Sequence, residues 1–173
     1  MARKALVAYA TRCGSTAEVA AAIGKKLRRW FEVDVLPVAQ MSGIAHYDAV
    51  ILGSAIRTGR WLREAAAFAE QHREMLGRVP VAYFVVCLEM RQDTEENRCT
   101  AASYLDIVRE RAPQVRPVDV GLFAGALDRR RLPFFLRFAA RAIQAPEADF
   151  RDWDAIRAWA ASIAPTLKPA GTR

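Results

Sequence analysis

Thr11-Arg12-Cys13-Gly14-Ser15-Thr16 is the stretch whose reading decides the fold. Upstream of it, Ala5 to Ala10 is a short, continuous apolar run of the kind found in a strand buried on both faces of a parallel sheet. Downstream, from Thr16, the apolar residues Val19, Ile23, Leu27 and then Trp30 or Phe31 recur every three to four positions, with Lys25, Lys26, Arg28 and Arg29 between them. That spacing predicts an amphipathic helix. A loop rich in hydroxyls, with a glycine, that joins a strand directly to a helix turns several backbone N–H groups and a positive helix end toward one point, which suits a phosphate. The plainer reading is a strand-to-helix turn in which Ser15 or Thr16 only caps the helix.

The same alternation runs through the chain. Strands are expected at Val33 to Val38, Ala49 to Ser54, Val81 to Cys87 and Val118 to Phe123, and helices at Trp61 to Leu76, Thr94 to Arg111 and from Asp152 onward. The segment Ser54 to Gly59 reads as a loop, and so does Leu88 to Asp93. Five strands alternating with helical segments imply an α/β fold: a doubly wound parallel sheet in three layers, with right-handed crossovers. Ligands of such sheets bind at the carboxyl ends of the strands, where the loops converge.

At 173 residues the chain suits one domain, expected over 1–164, with a basic helical insert at about 128–145 and a loose tail from 165 to 173. Its formal charge of +7 favours an anionic partner. Three cysteines without a C-x-x-C pair argue against a disulfide framework and for a reducing compartment. No run approaches the roughly 18 apolar residues of a membrane span, so a cytoplasmic protein is expected, with any membrane contact peripheral and on the inner face. His46 and His72 lack ligand spacing, and no metal site is expected.

Taken with Gly53-Ser54-Ala55-Ile56-Arg57-Thr58-Gly59 and Ala124-Gly125-Ala126-Leu127, the opening loop resembles those of flavodoxin-like proteins that hold flavin mononucleotide (FMN). The second and third loops resemble most closely the menaquinone-dependent protoporphyrinogen IX dehydrogenase branch, as do the basic, aromatic-rich Arg129 to Ile143 and the pair Asp152-Trp153. The resemblance implies a five-stranded sheet of order 2-1-3-4-5 and FMN as cofactor. It further implies oxidation of an organic substrate such as protoporphyrinogen IX with a quinone as acceptor, which makes heme biosynthesis the setting. Two other functions stay open: a flavodoxin-type electron carrier, and an interaction domain that has kept the fold without FMN.

Carried onto this sequence, the resemblance makes Thr11, Arg12, Cys13, Gly14, Ser15 and Thr16 the phosphate contacts. Ser54, Ala55, Ile56, Arg57, Thr58 and Gly59 follow from the second loop, Cys87, Leu88 and Glu89 from the end of the fourth strand, and Gly125, Ala126 and Leu127 from the last loop. Arg12 either adds a charge-assisted bond or stands in solvent, and Cys13 is expected to pack beneath the loop rather than react. Neither ring-flanking loop carries an aromatic, whereas Arg57 would set a cation near the ring, where it favours negative charge on the reduced form and transfer of electrons in pairs. Against this stands an Arg57 in solvent with Trp61 folded over the ring. No side chain stands out as an acid or base. Arg129, Arg130, Arg131, Phe134, Arg137 and Arg141 in the insert could meet a membrane interface, cover the flavin and hold substrate, or form the solvated edge of a packed helix. A nucleic-acid role has no recognised module to support it.

Overall fold

A computed structural model describes residues 3–127 and 148–168. The elements, in order, are β1 (Lys4–Ala10), α1 (Ser15–Leu27), β2 (Glu32–Pro37), β3 (Ala49–Arg57), β4 (Arg60–Trp61), α2 (Arg63–Gln71) and α3 (Arg73–Leu76). They continue as β5 (Val81–Cys87), α4 (Glu95–Ser103), α5 (Asp106–Arg111), β6 (Asp119–Ala124), β7 (Ala126–Leu127), β8 (Ala148–Asp149) and α6 (Trp153–Ile163). Single 3-10 turns stand at Val38–Gln40 and Glu89–Arg91.

Five parallel strands form the main sheet in the order β2-β1-β3-β5-β6. This is the expected 2-1-3-4-5 once the added β4 is allowed for. Successive residues of a strand face opposite sides, so each strand feeds two cores. Leu6, Val50, Leu52, Tyr83 and Val85 meet Phe68 and Leu105 on one face. Ala5, Val7, Ile51, Phe84 and Val86 meet Ile23 of α1 and Ile156 of α6 on the other. Burial on both sides explains why these strands are apolar without alternation.

Several boundaries differ from the sequence-based expectation. Helix α1 ends at Leu27, four residues early. Trp30 and Phe31 both donate their N–H groups to the Leu27 carbonyl, which tucks Phe31 into the core and leaves Trp30 at the surface against Arg29. Strand β3 runs on to Arg57 instead of stopping at Ser54 and turns back as β4, pairing Ile56 with Trp61. Trp61, expected to open a helix, is therefore a strand residue, and its burial against Tyr83 is what the hairpin gains.

The segment 61–76 bends at His72, which returns Leu76 to the core. The segment 94–111 breaks after Ser103 through a turn in which Leu105 N–H donates to the Ala102 carbonyl. At the C-terminus, Leu167 is fully buried and Thr166 N–H donates to the Ile163 carbonyl, so the packed domain runs past residue 164. Residues 169–173 lie outside the described residues.

The Tyr83 hydroxyl is buried without a hydrogen-bond partner, and burial pushes its pKa up. An unmade bond at a buried hydroxyl costs about 1–3 kcal/mol. Tyr83→Phe keeps the ring and removes that cost, so the variant is expected to melt a few degrees higher, by about 2–4 °C per kcal/mol recovered. A lower melting temperature would show that the hydroxyl is bonded after all.

Candidate functional site

The loop between β1 and α1 is built around Gly14. Its φ of 86° is left-handed, a conformation that costs any residue with a Cβ. This bend lets the Gly14 N–H donate to Thr11 Oγ1 at 3.0 Å and starts α1 at Ser15 with no side chain capping it. Glu18 N–H already reaches the Gly14 carbonyl, which leaves the amides of Ser15, Thr16 and Ala17 as the open donors of the first turn. Thr16 is completely buried, and its hydroxyl has no partner. Open amides at a positive helix end beside an orphaned hydroxyl fit a phosphate dianion. Cys13 is half-buried, and Arg12 is exposed, with its guanidinium 3.8 Å from Glu64.

The other two loops close on this one. A Cβ placed on Gly125 would sit 3.9 Å from Ser15 Oγ and 3.4 Å from Val86, so the chain leaving β6 runs against the phosphate loop. Gly125 N–H also donates to the Cys87 carbonyl, tying the ends of β5 and β6 together. In the β3–β4 hairpin, Ala55 and Ile56 are strand residues, and Thr58 and Gly59 form the turn with φ of 50° and 69°. Two positive φ values are the mark of a type I′ turn. Ser54 is buried; its hydroxyl donates to the Ala55 carbonyl and accepts the Leu62 N–H, so it holds the hairpin to the start of α2. Arg57 is exposed at the hairpin tip. Trp61 lies in the core, which removes it as a cover for a ring on the hairpin.

Across from the hairpin, Cys87 is buried, Leu88 is exposed and Glu89 begins a 3-10 turn. Burial, with Glu89 beside it, pushes the Cys87 thiol up to about 12, which makes it inert as a nucleophile. Tyr104 donates its hydroxyl to Glu89 at 2.9 Å, and its ring edge lies 3.6 Å from where a Gly59 Cβ would be. It thus spans from the turn at Glu89 to the β3–β4 hairpin. In a single helix over Thr94 to Arg111, the adjacent Tyr104 and Leu105 would compete for the inward face. The break after Ser103 resolves the conflict: Leu105 is buried and Tyr104 is released toward Glu89.

Strand β7 pairs antiparallel with β8, Ala126 opposite Asp149 and Leu127 opposite Ala148. Leu127 and Ala148, the described residues on either side of the 128–147 segment, are therefore held next to each other. Arg129, Arg130, Arg131, Phe134, Arg137 and Arg141 lie within it, outside the described residues. Behind β8, Arg151 bonds Asp149 through two nitrogens at 2.8 and 2.7 Å, pairs with Glu18 of α1, and lies 4.5 Å over the Trp153 ring. This clamp joins the return strand to the helix that carries the phosphate loop. Nothing in the sequence linked positions 18 and 151.

The Arg151 guanidinium holds the Asp149 carboxyl below the ordinary carboxylate range. A lowered folded-state pKa contributes stability that is fully present above the unfolded value near pH 4 and is lost as pH falls through the folded value. Thermal melts of Arg151→Met are therefore expected to show a lower melting temperature at neutral pH and a shallower decline in acid than the parent. Parallel acid profiles would remove this role for the clamp.

Among the described residues no cluster of three His, Cys, Asp or Glu side chains is placed to hold a metal ion, and no helix is long and apolar enough to cross a membrane.

The chain is 28% identical over 182 residues to protoporphyrinogen IX dehydrogenase [quinone] of Escherichia coli (strain K12), covering 95% of this chain and 99% of that one. Its fold matches a flavodoxin from the domain Archaea with a TM-score of 0.57 at 17% identity, covering 95% and 98% of the two chains. It also matches a flavoprotein in complex with FMN from Lactobacillus acidophilus NCFM, with a TM-score of 0.52 at 15% identity over 70% and 93%. The model of the flavodoxin domain fits residues 6–154, which take in every strand of the main sheet and all three loops at its carboxyl end, and the chain belongs to that family.

Proposed function

We propose that this protein binds FMN through the β1–α1 loop and works as a dehydrogenase that passes reducing equivalents from an organic substrate of the protoporphyrinogen kind to a quinone. The observation that carries the cofactor is the uncapped start of α1 beside the unpartnered Thr16 hydroxyl. The full-length likeness to the E. coli enzyme and the FMN in the Lactobacillus flavoprotein support the rest.

When bound, FMN supplies the redox chemistry, accepting two electrons from a donor and yielding them to an acceptor. The amides of Ser15, Thr16 and Ala17, with the hydroxyls of Ser15 and Thr16, hold the phosphate. Thr11 shapes the loop, since its hydroxyl is engaged by the Gly14 N–H. Arg57, at the hairpin tip, provides a cation for charge that develops nearby. The Glu89 carboxylate accepts the Tyr104 hydroxyl, which fixes both groups beside the two loops. Since Trp61 is spent on the core, the hairpin presents arginine and not an aromatic lid, leaving that side open to a substrate.

The test is anaerobic. The purified protein is titrated with FMN by flavin fluorescence, then mixed with protoporphyrinogen IX, with and without menadione, while porphyrin fluorescence and flavin absorbance are followed. Saturable FMN uptake, bleaching of the flavin by the donor and porphyrin formation sustained by the quinone are expected. A protein that takes up no FMN, or a loaded protein that the donor does not reduce, overturns the proposal.

A further inference from the structure

Beside the β3–β4 hairpin an open cavity of about 430 Å³ lies between the hairpin, the first turn of α2 and α5. Five arginines line it, Arg12, Arg57, Arg60, Arg63 and Arg111, and none of the described residues lining it is acidic. They come from four separate elements, so no single helix face or sequence run accounts for the convergence.

Their electrostatics are poorly compensated within the chain. Arg12 is 3.8 Å from Glu64 and Arg111 is 3.2 Å from Glu70, but among the described residues Arg57, Arg60 and Arg63 have no ion pair. Arg57 and Arg60 are, moreover, direct cross-strand partners in the hairpin. Like charges in that position destabilise a strand pair. The turn that sets them opposite carries a second cost, because Thr58 is β-branched and has a φ of 50°. Trp61 burial explains why the chain turns here; it does not explain why the turn is flanked by two arginines.

The cavity floor is of a different kind, formed by Trp61, Leu62, Ala66 and Ile107. An inorganic anion would match the rim and leave this floor unused. A wholly apolar ligand would leave the guanidinium groups unmatched. Arginine forks pair with carboxylates two bonds at a time, and cations on more than one side of the cavity suit more than one carboxylate.

We infer that this cavity is the docking site for an organic anion with at least two carboxylates on an apolar body, and that this anion is the reducing substrate. The inference rests on the dehydrogenase reading above and adds the place where the substrate docks and the arginines that hold it. Arg12 belongs to both the cavity and the phosphate loop, and Arg57 to both the cavity and the hairpin tip, so a ligand held here abuts the proposed cofactor site.

The probe is deuteroporphyrin IX, a stable fluorescent dicarboxylate, compared with the bis-amide of the same macrocycle on the full chain. Arg60 is the position to vary, because it is exposed and lies outside the proposed FMN contacts. Losing charge-assisted contacts is expected to weaken the bis-amide, and the diacid on Arg60→Glu, by about tenfold or more. Arg60→Lys should recover part of that loss, while FMN affinity stays at the parental value and neither variant melts below the parent, since Arg60→Glu relieves the like-charge pair with Arg57. Equal affinity for diacid and bis-amide, or undiminished diacid binding by Arg60→Glu, overturns the site. Displacement of the diacid by an equimolar amount of inorganic phosphate overturns the apolar-body requirement. Arg60-dependent diacid binding by a chain that takes up no FMN would sink the dehydrogenase reading and leave the anion site standing. FMN uptake without diacid discrimination would do the reverse.

Discussion

Gly53→Ala is expected to destabilise the protein by about 3 kcal/mol, at the upper end of what overpacking a core by one methyl costs. Gly53 lies in β3 with Tyr9 of β1 and Phe84 of β5 as its neighbours across the sheet. A Cβ there would sit 2.0 Å from Phe84 Cζ and 2.1 and 2.3 Å from the two Cε atoms. The Phe84 ring covers the glycine, is fully buried, and has no open space into which to swing. The strand or the ring must therefore move, and Ser54, which ties the hairpin to α2, is the next residue along. For a chain of this length the cost corresponds to a fall in melting temperature of roughly 6–12 °C. Phe84→Leu in the same background should restore part of it, because two residues in contact are coupled. A Gly53→Ala protein that melts within a degree or two of the parent would show that β3 and β5 do not meet in this register.

Thr16→Val is expected to act in opposite directions on stability and on binding. The hydroxyl is buried and unpartnered, so a methyl in its place should stabilise the ligand-free protein by about 1 kcal/mol. If the same hydroxyl completes a phosphate site, its loss removes a hydrogen bond to a charged group. Such bonds are worth about 1.5–3 kcal/mol, which is roughly tenfold to a hundredfold in FMN affinity. Thermal melts without FMN and a fluorescence titration with it read the two effects separately. A variant with unchanged FMN affinity removes Thr16 from the site, and one destabilised without FMN shows that the hydroxyl has a partner inside the protein.

The parts of the fold that could be read in the sequence are those in which neighbouring residues share a physical cause. The apolar runs at 5–10, 49–54 and 81–87 are strands because both faces of the sheet are covered, and the three-to-four spacing after Thr16 is a helix because one side of it is buried. Helix ends were harder to place. Leu27, His72 and Ser103 interrupt patterns that continue past them, since the core needs Phe31, Leu76 and Leu105 more than the helices need another turn. The loop Ser54 to Gly59 hid a hairpin because its partner strand is only two residues long, and the burial of Trp61 shows only once Tyr83 is opposite it.

The candidate site divides in the same way. The β1–α1 loop was legible at Thr11 to Thr16, where a strand end, a glycine and a helix start are contiguous in the chain. The Tyr104–Glu89 bond, the clamp of Arg151 on Glu18, and the meeting of Arg12 with Arg57, Arg60, Arg63 and Arg111 were not legible. By itself the sequence determined a doubly wound sheet and a strand–glycine–helix loop at its first crossover, because hydrophobic period and loop chemistry are local properties. Which charges face that loop was decided only by the tertiary structure. Those residues lie up to 133 positions apart, and their positions follow from how the sheet twists, where each helix breaks and which side chain the core takes first.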